Sequence, residues 1–170
     1  EDNQKWIIVD MGVTFADDSI PGIDLIMPDP GFIIDKKDDL LGIVLTHAHE
    51  DHIGAVAHIW PELKCKLFAT PFTAALITEK FKEKKIDISS FLKIVPLNSK
   101  IKLGAFEIDF VTLTHSILEP NGLSIKTPLG TILHTGDWKI DPNPLIGNKI
   151  DQEKLTKIGD KGVSAMICDS

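Results

Sequence analysis

"VLTHAHEDHIGA", residues 44–55, places three histidines and one aspartate within six positions, between aliphatic residues and a glycine. His47 and His49 follow a predicted strand, and in extended backbone residues two apart point to the same side, so both imidazoles can reach one ion. Asp51 and His52 come where the chain turns into a helix. They suit a second ion roughly 3.5–4 Å from the first, the spacing found in two-metal hydrolases. The stretch therefore predicts a metal site.

Two further ligands are predicted where later strands end. The segment "TLTHSI" places His115 after a strand that begins near Phe106, and "LHTGDWKID" places Asp137 after a strand that begins near Thr131. A carboxylate has two oxygens, so Asp137 can bridge two ions. Taken alone, His115 would be interpreted as a hydrogen-bonded loop histidine. The cluster at residues 47–52 favours a ligand role for both side chains.

Four other polar residues lie near the motif or the strand ends but are not predicted to be metal ligands. Asp10 ends the first predicted strand and is expected to accept a hydrogen bond from a ligand histidine. His134 either orients a ligand or packs in the core. His58 is expected to be a packed or capping histidine of a helix, and Glu50 a solvent or salt-bridge residue.

Composition and charge limit the class of protein. The chain has 170 residues, of which 43% are apolar and 25% charged, so it suits one domain or a large piece of one. The net charge of −7 argues against a protein that binds nucleic acid through a surface that is basic throughout. Bound cations would nevertheless change the charge locally, at a metal site. No apolar run approaches the roughly 18 residues of a membrane span. Cys65 and Cys168 are predicted to be reduced thiols, which fits the cytoplasm.

The order of elements predicts an α/β fold. "KWIIVDMG" and "LGIVLT" are typical of buried strands, and residues 14–31 of a long loop. "GAVAHIWPEL" predicts a helix that stops near Pro61, and "TPLGT" a hairpin turn at Gly130. "VSAMICD" predicts a final strand after a helix near 151–158. Strands cluster first and then alternate with helices, so we expect a mixed sheet with helices on its outer face. The helix "PFTAALITEKFKEKK" is expected to bury one apolar stripe: Phe72, Leu76, Ile77 and Phe81.

The HxHxDH motif at residues 47–52, with Asp10 before it and His115 and Asp137 after it, resembles the metallo-β-lactamase superfamily. The segments "GIDLIMPD", "VTLTHSI", "TPLGTILHTGDWKIDPNP" and "CDS" are similar to the ribonuclease J family of its β-CASP branch. The resemblance implies an αββα sandwich, present only as its N-terminal part. It implies that residues 1–170 are a partial domain, ending about where a β-CASP domain is inserted, with a last ligand histidine further along the chain.

The resemblance also implies metal-dependent hydrolysis of RNA phosphodiester bonds, both endonucleolytic and 5′-to-3′ exonucleolytic, by a metal-activated hydroxide. The resemblance implies that one ion is bound by His47, His49 and His115. It implies that the other ion is bound by Asp51 and His52, and that Asp137 bridges the two. Asp51 would also orient or deprotonate the nucleophile.

The implied cofactor is zinc, with two ions in the complete enzyme, and manganese is the alternative. RNA is the expected substrate of the complete protein, which we expect to be a cytoplasmic homo-oligomer with no membrane partner. Two alternatives stay open. One is a small-molecule hydrolase, such as a thioesterase or lactonase. The other is a metal-binding fragment that is inactive by itself.

Overall fold

The computed structural model describes residues 4–169, so Ser170 of the "CDS" segment lies outside the described range. The strands in this range are, in chain order, β1 (Trp6–Val9), β2 (Thr14–Phe15), β3 (Leu25–Ile26), β4 (Leu40–Val44), β5 (Leu67–Ala69), β6 (Leu92–Ile94), β7 (Lys100–Leu103), β8 (Phe106–Thr112), β9 (Asn121–Thr127), β10 (Gly130–His134) and β11 (Ala165–Ile167). The helices are α1 (Gly31–Ile34), α2 (Glu50–Ile53), α3 (Val56–Leu63), α4 (Pro71–Glu83) and α5 (Gln152–Asp160), with a 3-10 turn at Lys37–Asp39.

The strands form two main sheets rather than the single mixed sheet that the strand pattern predicted. One sheet is parallel, in the order β1-β4-β5-β6. The other has the order β11-β10-β9-β8-β7, in which β11 runs parallel to β10 and the remaining pairs are antiparallel. Strands β2 and β3 pair as a separate ribbon inside the predicted long loop. The strands separate into two sheets because a strand with apolar side chains on both faces must be covered by another layer on each face.

Side-chain alternation distributes the core over three interfaces. Ile43 packs in a cluster with α3 and α4, whereas Val44 points between the two sheets. Likewise, Phe110 packs between the sheets, whereas Val111 lies against Ile158 of α5. The order of layers is thus helix, sheet, sheet, helix. This confirms the αββα sandwich that the resemblance implied.

Helix α3 was predicted to stop near Pro61, and it ends shortly beyond the proline, at Leu63. The proline lies so close to the end that the missing N–H removes little of the helix. Trp60 and Leu63 on either side of it are buried and hold the last turn against the core. Lys64 caps the C-terminus of the helix: its φ of 47° is left-handed, and its N–H donates to the Trp60 carbonyl at 2.8 Å.

Helix α4 was predicted correctly in position, and Ile77 and Phe81 are buried as expected, but the rest of its buried face is different. Leu76 is 38% exposed and Phe72 is only partly buried. The side chains that face the core are Thr73, Ala74, Ile77 and Phe81. On this side of the helix, Ala74, Ile77 and Phe81 belong to the same core cluster as Leu67 and Ala69 of the parallel sheet.

Strand β4 is buried as predicted, whereas β1, also predicted to be buried, is only half-buried. The β9–β10 hairpin turns at Gly130, whose φ is 143°, and α5 is followed by β11. Cys65 is buried and Cys168 exposed, and both are free thiols. Within residues 4–169, no helix has the length and apolar character needed to cross a membrane.

Candidate metal centre

Six predicted ligands converge where strands from both sheets end. They come from the loop after β4, from α2, from the β8–β9 loop and from the segment after β10. The described structure brings them together as two groups of possible ligand atoms that share one carboxylate: His47, His49, His115 and Asp137; and Asp51, His52 and Asp137.

The four ligand atoms of the first group lie close to one another. His49 Nδ1 lies 3.1 Å from His47 Nε2 and 3.1 Å from His115 Nε2. Asp137 Oδ2 lies 3.6 Å from His115 Nε2 and 4.0 Å from His47 Nε2. Donor atoms around a tetrahedral zinc ion are about 3.3 Å apart when its bonds to nitrogen are 2.0–2.1 Å. The four atoms therefore fit a single ion.

The second group is smaller and more open. His52 Nε2 lies 3.0 Å from Asp137 Oδ1 and 3.7 Å from Asp51 Oδ2. The Asp51 side chain is 64% exposed, whereas that of Asp137 is 23% exposed. Asp137 thus turns one oxygen toward each group. Its position allows one carboxylate to contact two ions.

Asp10 fixes the orientation of His52. Its Oδ2 atom lies 2.8 Å from His52 Nδ1, and its backbone φ of 59° is left-handed. A carboxylate only accepts hydrogen bonds, so His52 Nδ1 carries a proton that Asp10 accepts, and Nε2 is the nitrogen left to face the second ligand group. The sequence predicted that Asp10 accepts from a candidate ligand histidine, and this contact confirms it.

Thr46 determines which ring nitrogen of His47 carries the proton, a role that the sequence analysis missed. The Thr46 hydroxyl donates to Asp10 Oδ2 at 2.6 Å and lies 3.0 Å from His47 Nδ1. Its single proton goes to the carboxylate, so His47 Nδ1 must donate to the hydroxyl oxygen. His47 Nε2 is therefore unprotonated and free to bind an ion. The Thr46 N–H also donates to Asp10 Oδ1, at 2.7 Å.

The pKa values of the histidines are shifted in different directions by their surroundings. Burial, followed by the neighbouring histidines, lowers the pKa of His47 to about 2. Burial also lowers the pKa of His115, despite the opposing charge of Asp137. Burial opposes the charged form of His52 too, but its hydrogen bond to Asp10 and the nearby carboxylates outweigh burial and raise its pKa. The first group is therefore neutral at His47 and His115, as metal ligation requires.

A glycine lets the first strand approach the motif. The backbone of residues 11–13 follows α2, with the Met11 N–H donating to His52 O at 2.7 Å. A β-carbon on Gly12 would overlap the backbone carbonyl of Asp51. Only glycine allows this contact, which supports the backbone of two candidate ligands.

The weaker candidates lie outside both groups. Glu50 forms an ion pair with Lys80 at 2.5 Å, as predicted. His58 is exposed on α3 near Lys84, so the prediction of a packed or capping side chain is wrong. His134 is half-buried, and its Nδ1 accepts from the Gly136 N–H at 3.0 Å. This backbone bond favours neither the orienting role nor the core role that the sequence left open.

Comparisons with known proteins agree with this geometry. Residues 1–148 match the model of the metallo-beta-lactamase superfamily. The chain is 42% identical to Ribonuclease J of Sinorhizobium meliloti, over 99% of this chain and 30% of that protein. It is 40% identical to Ribonuclease J of Helicobacter pylori, over 100% of this chain and 25% of that protein. The chain thus spans less than a third of the length of these relatives.

Solved structures of low sequence identity share the fold. The metallo-beta-lactamase fold protein YhfI of Bacillus subtilis matches with a TM-score of 0.53 and 14% identity, over 81% of this chain and 52% of that one. A diphosphatase from the PhnP family matches with a TM-score of 0.51 and 15% identity, over 95% of this chain and 67% of that one. Identities this low support the fold and not a shared activity.

Proposed function

The chain belongs to the metallo-beta-lactamase superfamily, and from this premise we propose that it forms the two-metal centre of a ribonuclease J-type nuclease. The observation that carries the proposal is the position of Asp137, which turns Oδ2 toward one ligand group and Oδ1 toward the other. A bridged pair of cations is the arrangement that hydrolytic enzymes use for in-line displacement at phosphorus. The two relatives named Ribonuclease J support RNA as the substrate of the full-length protein.

Four side chains would hold the first ion, each through one ligand atom that lies near those of the others: His47, His49, His115 and Asp137. The second ion would be held by Asp51, His52 and the other oxygen of Asp137. When bound, such cations neutralise charge on the phosphate and lower the pKa of water. Asp10 and Thr46 hold the imidazoles of His52 and His47 in the tautomer that this binding needs.

Asp51 has a second proposed role, as the group that orients or deprotonates the attacking water. Its side chain is the most exposed of the second group, at 64%. Its carboxylate therefore stands where water and substrate can reach it, beside His52 Nε2. A carboxylate oxygen in that position can accept the proton that the water gives up.

Zinc is the proposed metal, because three imidazole nitrogens and one carboxylate oxygen form a typical zinc donor set. The second group has two carboxylates and one imidazole, so manganese is the alternative there. Both positions would put dications next to an RNA phosphate. They would thus offset locally the net charge of −7.

Three further properties are part of the proposal. Endonucleolytic and 5′-to-3′ exonucleolytic cleavage would share the one centre. Self-association is supported by β11, which ends the mixed sheet in the described range with Met166 52% exposed, because open strand edges favour pairing. A cytoplasmic location is supported by the two free thiols.

The experiment compares substrates in the full-length natural protein. We expect metal-dependent cleavage of single-stranded RNA, loss of cleavage in Asp137→Ala, and no turnover of a thioester or a lactone. Thioester or lactone turnover without RNA cleavage would instead favour the small-molecule hydrolase. Tight metal binding without turnover of any substrate would favour a binding protein.

A further inference from the structure

The β8–β9 loop, residues 113–120, carries His115 and is anchored on both sides of it. On the near side, the Lys139 N–H donates to the Thr114 carbonyl at 2.8 Å, and the Thr114 hydroxyl donates to the Lys139 carbonyl. Lys139 is two residues beyond Asp137. This side of the loop is therefore tied to the segment that carries the shared carboxylate.

On the far side, Glu119 caps a helix from which it is distant in sequence. Its Oε2 accepts a hydrogen bond from the Phe72 N–H at 2.8 Å, in the first turn of α4. The residue at the usual capping position, Thr70, makes no side-chain cap. Its buried hydroxyl has no hydrogen-bond partner among residues 4–169. Glu119 therefore supplies the negative charge and the acceptor that the N-terminus of a helix favours.

Asn121 links the same end of the loop to the HxHxDH segment. Its side-chain Nδ2 donates to the Glu119 carbonyl at 2.6 Å and to the Thr46 carbonyl at 3.2 Å. Its backbone N–H donates to the same Thr46 carbonyl at 3.2 Å. Thr46 directly precedes His47, so the loop contacts the chain next to a candidate ligand of the opposite sheet.

The Glu119 backbone is itself in an unfavourable conformation. Its φ of 54° lies in the left-handed region, which costs free energy for a residue other than glycine. Such a conformation persists when surrounding contacts determine it. Here the contacts are the bonds to α4 and Asn121.

We propose that Glu119 is a positioning residue for His115, a role that rests on the proposed metal centre. His115 lies in a loop of the mixed sheet, whereas its neighbour His49, 3.1 Å away, follows a strand of the parallel sheet. Their separation depends on how the two layers are held together at this end. The bond from Glu119 to α4 fastens the His115 loop to the parallel sheet, since α4 directly follows β5.

The test uses matched changes at the N-termini of two helices. Glu119→Ala removes the cap of α4, and Glu119→Gln keeps an acceptor oxygen. Asp151→Ala removes the cap of α5, where the Asp151 carboxylate accepts from the Lys154 N–H at 3.0 Å, and Asp151 belongs to neither ligand group. Two properties are measured in the 170-residue chain: the affinity and visible spectrum of bound Co²⁺, and the NMR signals of the His115 ring without metal.

We expect Glu119→Ala to weaken Co²⁺ binding about tenfold, the lower end of the range for residues that orient ligands. It should also change the Co²⁺ spectrum and shift or broaden the His115 signals. Glu119→Gln should restore most of both properties, and Asp151→Ala should leave both unchanged. An unchanged Glu119→Ala variant, or an equal loss in Asp151→Ala, would overturn the proposal. A wild-type chain that binds no Co²⁺ would contradict the proposed function, while the metal-free His115 signals would still decide the role of Glu119.

Discussion

Asp10 Oδ2 lies 2.8 Å from His52 Nδ1, although the two residues are 42 positions apart in the chain. The same oxygen accepts the hydroxyl proton of Thr46, which in turn accepts from His47. One carboxylate thereby determines which nitrogen is available in both ligand groups. The proposed centre would therefore depend on Asp10 even though Asp10 belongs to neither group.

Replacing Asp10 should therefore weaken both positions together. In Asp10→Asn the side chain keeps its size but loses its charge, and its amide cannot accept every bond that the carboxylate accepts. We expect zinc affinity to fall between about tenfold and a hundredfold. The pKa of His52 should also fall, because Asp10 raises it in the native chain. Competition with a chelator and NMR titration of the metal-free chain measure the two effects, and an unchanged affinity at both positions would rule out this role.

The pKa of His47 predicts how the metal-free chain responds to acid. His47 has a pKa of about 2 in the folded chain, below the ordinary value of 6.5, so the unfolded chain binds the proton more readily. The free energy of unfolding should therefore decrease as pH falls from 6.5 toward 2. His52 acts in the opposite direction, since its raised pKa stabilises the fold below pH 6.5 and this contribution is lost as pH rises through the raised value.

Urea unfolding at several pH values, in the native chain and in His47→Asn, separates these contributions. The variant lacks the group with the depressed pKa, so its stability should fall less steeply below pH 6.5. Equal slopes in the two proteins would mean that His47 is not held in its neutral form.

A single alanine at His49 should stop catalysis without unfolding the protein. His49 is the middle donor of the first group, 3.1 Å from the nitrogens of both His47 and His115. We expect His49→Ala in the full-length protein to abolish RNA cleavage while its circular dichroism stays native. His58→Ala is the control, because His58 is exposed and belongs to neither group. A His49→Ala variant that keeps more than about a tenth of the native rate would argue against ligation by His49.

Two glycines test the close approach of the first strand to α2. Gly12→Ala would place a methyl group on the backbone of Asp51, so α2 must move. We expect a loss of about 1–3 kcal/mol in the free energy of unfolding, together with weaker metal binding. Gly159→Ala in α5 meets nothing within 4 Å and should be neutral or stabilising by up to about 1 kcal/mol. Thermal and urea unfolding of both variants provides the comparison, and equal stabilities would show that Gly12 is replaceable.

Local spacing predicted much of the site but little of what supports it. The pair His47 and His49 could be assigned to one point because alternate residues of an extended chain share a side. The proximity of His115 and Asp137 to this pair could be predicted because strands end at common edges. Glu119 could not, because its cap joins segments 47 residues apart, while the adjacent Thr70 offers a local cap that is not made.

The errors in the fold have a similar origin. Pro61 predicted the approximate end of α3 but not its last residue, because the burial of Trp60 and Leu63 outweighs one missing hydrogen bond. The strand pattern also does not say which strands share a sheet. That choice is made by packing on both faces of β4, as Ile43 and Val44 show.

Zinc titration of the metal-free chain, in the native form and in Asp137→Ala, tests the bridged centre most directly. The first group offers four protein ligands and the second three, with Asp137 common to both. Two dications close together also repel, which penalises the second binding step. Calorimetry should show a tight first equivalent and a much weaker second, and Asp137→Ala should weaken both. Two equally tight equivalents, or a variant in which only one step changes, would contradict a centre bridged by Asp137.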